Sequence, residues 1–116
     1  MSTEAVLNHH LQAFSAGDAD EAIKDYTEDS ILITPDATLK GLSSIHAAFR
    51  DLFSGLFKSG TYDFTMDRTE VVGEIAYIVW HSVNQDADVT LGTDTYVIQD
   101  GKIVVQTYTA RIEEKE

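Results

Sequence analysis

The chain has 116 residues, 43% of them hydrophobic, which suits one folded domain over 1–116. Its 20 acidic residues against 8 basic ones leave a formal net charge of −12; such a surface repels phosphate backbones and anionic lipids, so neither nucleic acid nor a membrane is an expected partner. The absence of cysteine removes disulfides, thiolate nucleophiles and cysteine-held metals, no apolar run nears the roughly 18–20 residues of a bilayer span, and MSTEAVLNHH lacks the basic and apolar regions of a secretory signal, so the expected location is cytoplasmic.

In chain order, Val6, Leu7, His10, Leu11 and Phe14 recur at helical spacing and predict an amphipathic helix over 3–15, ended by Gly17. Asp18 followed by Glu21 reads as an N-cap, opening a second helix whose apolar face is Ala22, Ile23 and Tyr26. Residues 30–34 form a short strand that Pro35, the single proline, stops or bends. A third helix begins at Gly41–Ser44 with Ser43 as its cap. Ile45, Ala48, Phe49, Leu52, Phe53 and Leu56 keep its 3.6-residue period, and Gly60 closes it.

Strands then follow at about 61–72, 75–86, 89–99 and 102–113, with turns at Gly73-Glu74 and Asp100-Gly101. Helices first and an antiparallel meander afterwards make an α+β fold. One sheet face must lie under the helices. The other still carries Val79, Val97 and Val105, which predicts a homodimer through the outer sheet face.

Two stretches, AFSAGDADEAIKDYTEDSILITPDATLKGLSSIHAAF and GTDTYVIQDGKIVVQTYTARI, resemble the nuclear transport factor 2-like superfamily, within it the SnoaL-like and ketosteroid-isomerase-like group. The resemblance rests on the Ala16-Gly17-Asp18 helix break, the Tyr26-to-Asp29 helix end, Gly41 before the third helix and Ile45 within it. It implies a cystatin-like cone, a curved antiparallel sheet wrapped around the N-terminal helices, with a mostly apolar pocket at its mouth. That superfamily hosts isomerases, dehydratases, cyclases, epoxide hydrolases and plain binding modules, so the fold follows more closely than the activity.

In ketosteroid isomerase an aspartate just before a proline is the general base, and here that place is Thr34, whose hydroxyl has no useful basicity near neutral pH. The family's oxyanion-binding tyrosine on the first helix aligns with His10. Its protonated aspartate on a later strand aligns with Asp94, its third-helix tyrosine with Phe49, and Tyr26 fills a place that is sometimes tyrosine. The resemblance therefore implies the vessel and part of the oxyanion site without the base.

The residues admit plainer readings as well. His10 shares a helix face with Leu7, Leu11 and Phe14 and is either a core histidine with one hydrogen bond or a donor or base facing the pocket, while His9 points away. Asp94 shares a strand face with Tyr96 and Ile98; it is a pocket acid with a raised pKa or a strand-start aspartate tied to the Thr93 or Thr95 hydroxyls and backbone. Gln106 and Tyr108 have the parity to offer polar points inside, and Trp80 reads as a wall residue. His81 is expected on the dimer face or near solvent and His46 in solvent. Asp18, Asp20 and Glu21 read as a helix start.

No HExxH, Ser-His-Asp or phosphate-cradling motif stands out, so no metal or other cofactor is expected. One expected function is a dimeric module that binds a small hydrophobic molecule, lined by Phe14, Tyr26, Thr34, Phe49, Trp80, Tyr96, Gln106 and Tyr108. Another is a lyase or isomerase acting on a small apolar carbonyl compound, with His10 and Asp94 catalytic. A protein-interaction adaptor is a third.

Overall fold

The computed structural model describes residues 2–115. Helix α1 runs Thr3–Ala16; the Ser2 hydroxyl caps it by accepting from the Ala5 N–H, and Gly17, at φ 66, ends it in the left-handed conformation. The Asp18 side chain accepts from the Glu21 N–H and starts α2, Ala19–Ala22. This element is a single turn rather than a full second helix, because the chain tightens to a 3-10 turn at Ile23–Asp25 and is extended by Tyr26.

Strand β1, Ile31–Ile33, doubles back through a turn at Thr34 to β2, Thr38–Lys40, which the sequence does not announce. Helix α3, Leu42–Ser54, differs from its expected ends. Gly41, at φ 89, turns the chain into it with no side-chain cap, so Ser43 is an exposed first-turn residue. It stops at Ser54, where Gly55 caps it, and not at Gly60. The Phe57 N–H bonds to the Leu52 carbonyl and turns the Phe57 ring into the core, leaving Gly60, at φ 81, to launch the sheet.

Four long strands follow: β3 Tyr62–Val72, β4 Ile75–Asn84, β5 Ala87–Gln99 and β6 Lys102–Glu114. The hairpin at Asp100 (φ 52) and Gly101 (φ 76) has both central residues left-handed, as a two-residue turn between twisted strands requires. The six-stranded sheet has the order β2-β1-β6-β5-β4-β3, antiparallel except where β1 runs parallel to β6. Register shifts between Met66 and Arg68, Trp80 and Ser82, Val89 and Leu91, and Val97 and Ile98 bend the strands into a curve.

The concave face carries the core. Ala76, Ile78, Tyr96, Ile98 and Ile103 from the sheet meet Val6 and Leu7 of α1 and Ile45, Phe49 and Phe53 of α3, all buried. Each large apolar side chain so buried contributes about 1.5–3 kcal/mol. On the convex face, pairing aligns Val72, Ile75, Val97, Val105 and Ile31 in one apolar row across five strands. Val72 and Ile75 there are exposed, and Val79, Val97 and Val105 are half-buried. Among the described residues, no helix is long and apolar enough to cross a membrane.

Candidate functional site

Between α1, α3 and the concave face lies a cavity of about 160 Å³. Of the residues singled out from sequence, His10, Phe14, Thr34, Phe49, Trp80, Asp94, Tyr96, Gln106 and Tyr108 line it. Tyr26 does not; it stands one layer back and donates its hydroxyl hydrogen to Gln106 Oε1. His10 and Asp94, brought in by α1 and β5, thus share one cavity.

Asp94 is buried, and its carboxyl is the hub of a network. The Trp80 indole N–H donates to Oδ1 at 2.7 Å, Gln106 Nε2 donates to Oδ2 at 2.9 Å, and the Tyr96 hydroxyl approaches Oδ2 at 3.4 Å. Asp94 has no bond to the Thr93 or Thr95 hydroxyls; both alternate to the convex face. Burial raises its pKa above the ordinary 3.8, against the pull of the Trp80 and Gln106 hydrogen bonds and of nearby His10. Burial also lifts the Tyr26 and Tyr96 phenols well above 10, so both remain neutral donors.

The sequence reading missed what lets Trp80 reach Asp94. Trp80 pairs with Gly92 across β4 and β5, and a Cβ on Gly92 would lie 2.2 Å from Trp80 Cε2. The indole therefore lies flat on the β5 backbone. A glycine inside a long strand is the signal that marks such an approach.

His10 is caged by Tyr26, Phe49 and Tyr96, with ring centroids 5.7, 5.8 and 5.4 Å away. Among the described residues its Nδ1 is the only buried side-chain polar atom with no hydrogen-bond partner. The nearest charged atom is Oδ2 of buried Asp25, 3.8 Å away. The one hydrogen bond expected of a core histidine is therefore not made.

His9 does not simply point away. Its Nδ1 lies 2.7 and 2.8 Å from the two Asp25 oxygens and its Nε2 2.7 Å from Glu21 Oε1, while Lys24 Nζ holds the other Glu21 oxygen at 2.8 Å. These hydrogen bonds, Glu21 first and Asp25 next, raise the His9 pKa above 6.5. The acids read as a helix start thus have further partners: Glu21 meets His9, and Asp20 meets His46 Nε2 at 2.7 Å, which draws His46 out of free solvent. His81 lies on the convex face against Asp67, at the β3 irregularity.

Thr34 is spoken for by the backbone. Its Oγ1 accepts from the Asp36 and Ala37 N–H groups at 3.2 and 3.0 Å and shapes the turn around Pro35. A hydroxyl engaged in this way serves the β1–β2 connection and offers no base to the cavity. Among the described residues no group of three His, Asp or Glu side chains is arranged to hold a metal ion.

Comparison with known proteins places this architecture. None of the curated proteins matches the chain. Among solved structures it is similar to a nuclear transport factor 2-like protein of unknown function from Mesorhizobium loti (TM-score 0.79, 19% identity, covering 94% of this chain and 90% of that one). It is similar to a provisionally named polyketide cyclase from Sinorhizobium meliloti (TM-score 0.77, 18% identity, 90% and 93% covered). It is also similar to a provisionally named ketosteroid isomerase from Kribbella flavida (TM-score 0.75, 15% identity, 98% and 80% covered). At these identities the likeness is one of fold. The SnoaL-like domain matches residues 7–106, most of the chain, and this protein therefore belongs to the SnoaL-like domain family.

Proposed function

We propose that this protein binds a small, mostly apolar molecule in the cavity between α1, α3 and the sheet. The observation that carries this reading is that the carboxyl of Asp94 and the imidazole of His10, both buried, stand in the wall of one largely apolar cavity. A cavity serving stability alone would be better filled with apolar side chains, since buried ionisable groups seldom stabilise a fold. A few convergent polar groups on apolar walls are what orients a ligand. A cavity of about 160 Å³ matches the space in which a single benzene ring binds, about 150 Å³, so a single ring fits it.

The test is titration with monocyclic ketones such as cyclohexenone, followed by amide and indole NMR shifts. Shifts centred on Trp80, Asp94 and Gln106 are expected. Asp94→Ala should weaken binding about ten-fold, and Asp94→Asn less, because an amide still donates. A set of such rings that leaves all three residues unmoved would end this reading.

A second reading, a lyase or isomerase acting on a carbonyl compound, is favoured by the raised pKa of Asp94, a property common at sites of proton transfer. Relatives named as ketosteroid isomerase and polyketide cyclase favour the same compound class. With Thr34 engaged in its turn, proton transfer would fall to His10 and Asp94. Enzyme-dependent deuterium exchange into cyclohexenone, lost in His10→Ala, would establish it; exchange at the buffer rate would exclude it for this ligand.

The partner proposed for the convex face is a second copy of the chain. The apolar row of Val72, Ile75, Val97, Val105 and Ile31 offers the self-complementary surface that a two-fold dimer needs.

A further inference from the structure

A neutral imidazole carries one N–H and one lone pair, and which nitrogen holds the proton follows from its neighbours. For His10 the neighbours are few. Asp25 faces Nδ1 from the 3-10 turn, with its Oδ2 3.8 Å away. Tyr26, Phe49 and Tyr96 present rings. Asp94, the remaining ionisable group near it, already has its oxygens engaged by Trp80, Gln106 and Tyr96. A lone pair on Nδ1 would face the Asp25 carboxylate across 3.8 Å and be repelled, whereas an N–H would be attracted.

Asp25 itself is bound from outside by His9. His9 has a carboxylate oxygen 2.7 Å from each ring nitrogen, one from Asp25 and one from Glu21. Only the imidazolium has an N–H for both. The His9 imidazolium thus donates to Asp25, which faces Nδ1 of His10 as an acceptor.

We infer that Asp25 is a positioning residue for His10: it fixes the Nδ1–H tautomer, and the Nε2 lone pair is thereby presented to the cavity as a hydrogen-bond acceptor. His9 is the cation that keeps Asp25 in that role. This rests on the cavity being a ligand site and sharpens what the ligand must offer: a small ring with a hydroxyl or comparable donor at the end nearest α1. A purely apolar ring would leave Nε2 unpaired.

The experiment reads the His10 ring nitrogens by long-range ¹H–¹⁵N NMR in the free protein at neutral pH, for wild type and for the nearly isosteric Asp25→Asn. An Nδ1–H tautomer in the wild type is expected, and Asp25→Asn should move the proton to Nε2 in a measurable fraction of molecules, since an amide can donate to Nδ1. An Nε2–H tautomer or a doubly protonated ring in the wild type, or no change in Asp25→Asn, overturns the inference. His9→Gln, which keeps a donor to Asp25 but removes the charge, should shift the same balance less far.

The second arm compares phenol with its methyl ether, anisole. Phenol should bind about ten-fold more tightly to the wild type, and that ratio should collapse in Asp25→Asn. Equal binding of the two by the wild type overturns the inference. Binding of neither, with the Nδ1–H tautomer observed, supports the role of Asp25 and counts against the ligand reading of the cavity.

Discussion

The two faces of the sheet are made by the same four long strands, and each departs from plain alternation in the opposite sense. The concave face is buried and yet holds Ser82, Asn84, Asp94 and Gln106 among its aromatic and aliphatic residues. The convex face is partly open and yet aligns valines and isoleucines across five strands. A sheet shaped by folding alone would place polar groups outside and apolar groups inside. Two inversions on one sheet are what the two proposed roles would ask for, a small ligand on one side and a second copy of the chain on the other.

The concave side should be the more costly to disturb. Phe53 packs against Phe14 and Phe49 at centroid distances of 5.4 and 6.0 Å, so Phe53→Ala should lose about 3–5 kcal/mol in urea unfolding. A loss well under 1 kcal/mol would mean that α3 does not seal that face. Gly92→Ala follows. Its new Cβ must displace the Trp80 indole, an overpacking that costs about 1–3 kcal/mol, and the indole N–H resonance should move as its bond to Asp94 breaks. An unmoved indole resonance would contradict the close approach of Trp80 to β5.

Asp94→Asn probes the polar inversion by pH. A carboxyl with a raised folded pKa binds its proton more tightly in the folded chain, so its contribution to stability falls as pH rises from about 3.8 through the folded value. The asparagine variant lacks that fall. It should be more stable than wild type at pH 7, with the gap closing as pH falls through the raised folded pKa toward 3.8. A gap independent of pH would show that hydrogen bonding, and not charge burial, governs the site.

The convex face should respond least in folding and most in mass. Ile75→Asp, at an exposed position of the row, ought to change protomer stability by about 0.5 kcal/mol or less, as substitutions away from a packed core do. It should also move the sedimenting species from about twice 12.8 kDa to a single chain. A wild-type protein that already sediments as one chain would remove the second proposed role of the sheet.

How far the sequence revealed this arrangement depended on the range of the interaction. Gly17, Asp18 with Glu21, and Asp100-Gly101 act within a few residues, and their helix ends and hairpin were readable directly. Period-2 alternation put Trp80, Asp94, Tyr96, Gln106 and Tyr108 on one side, and the resemblance of the chain to its family put His10 opposite them. The three residues of β2 carry too little pattern to show, and Gly60 outweighed the inward turn of Phe57 in the reading of where α3 stops. The hydrogen bonds converging on Asp94 required strand register, which four irregularities displace. The clasp of His9 on Asp25 joins residues 16 apart across two helical elements, and no periodicity encodes it.

The borders of the sheet have a consequence of their own. At one border β2 is only three residues long and ends in Lys40; at the other, β3 is interrupted between Met66 and Arg68 and carries Asp63, Arg68 and Glu70. Short, charged or irregular rims resist the addition of further strands from other molecules. Sideways strand addition is thus disfavoured at both rims, so the second copy proposed for the exposed apolar row would meet it broadside and not edge to edge.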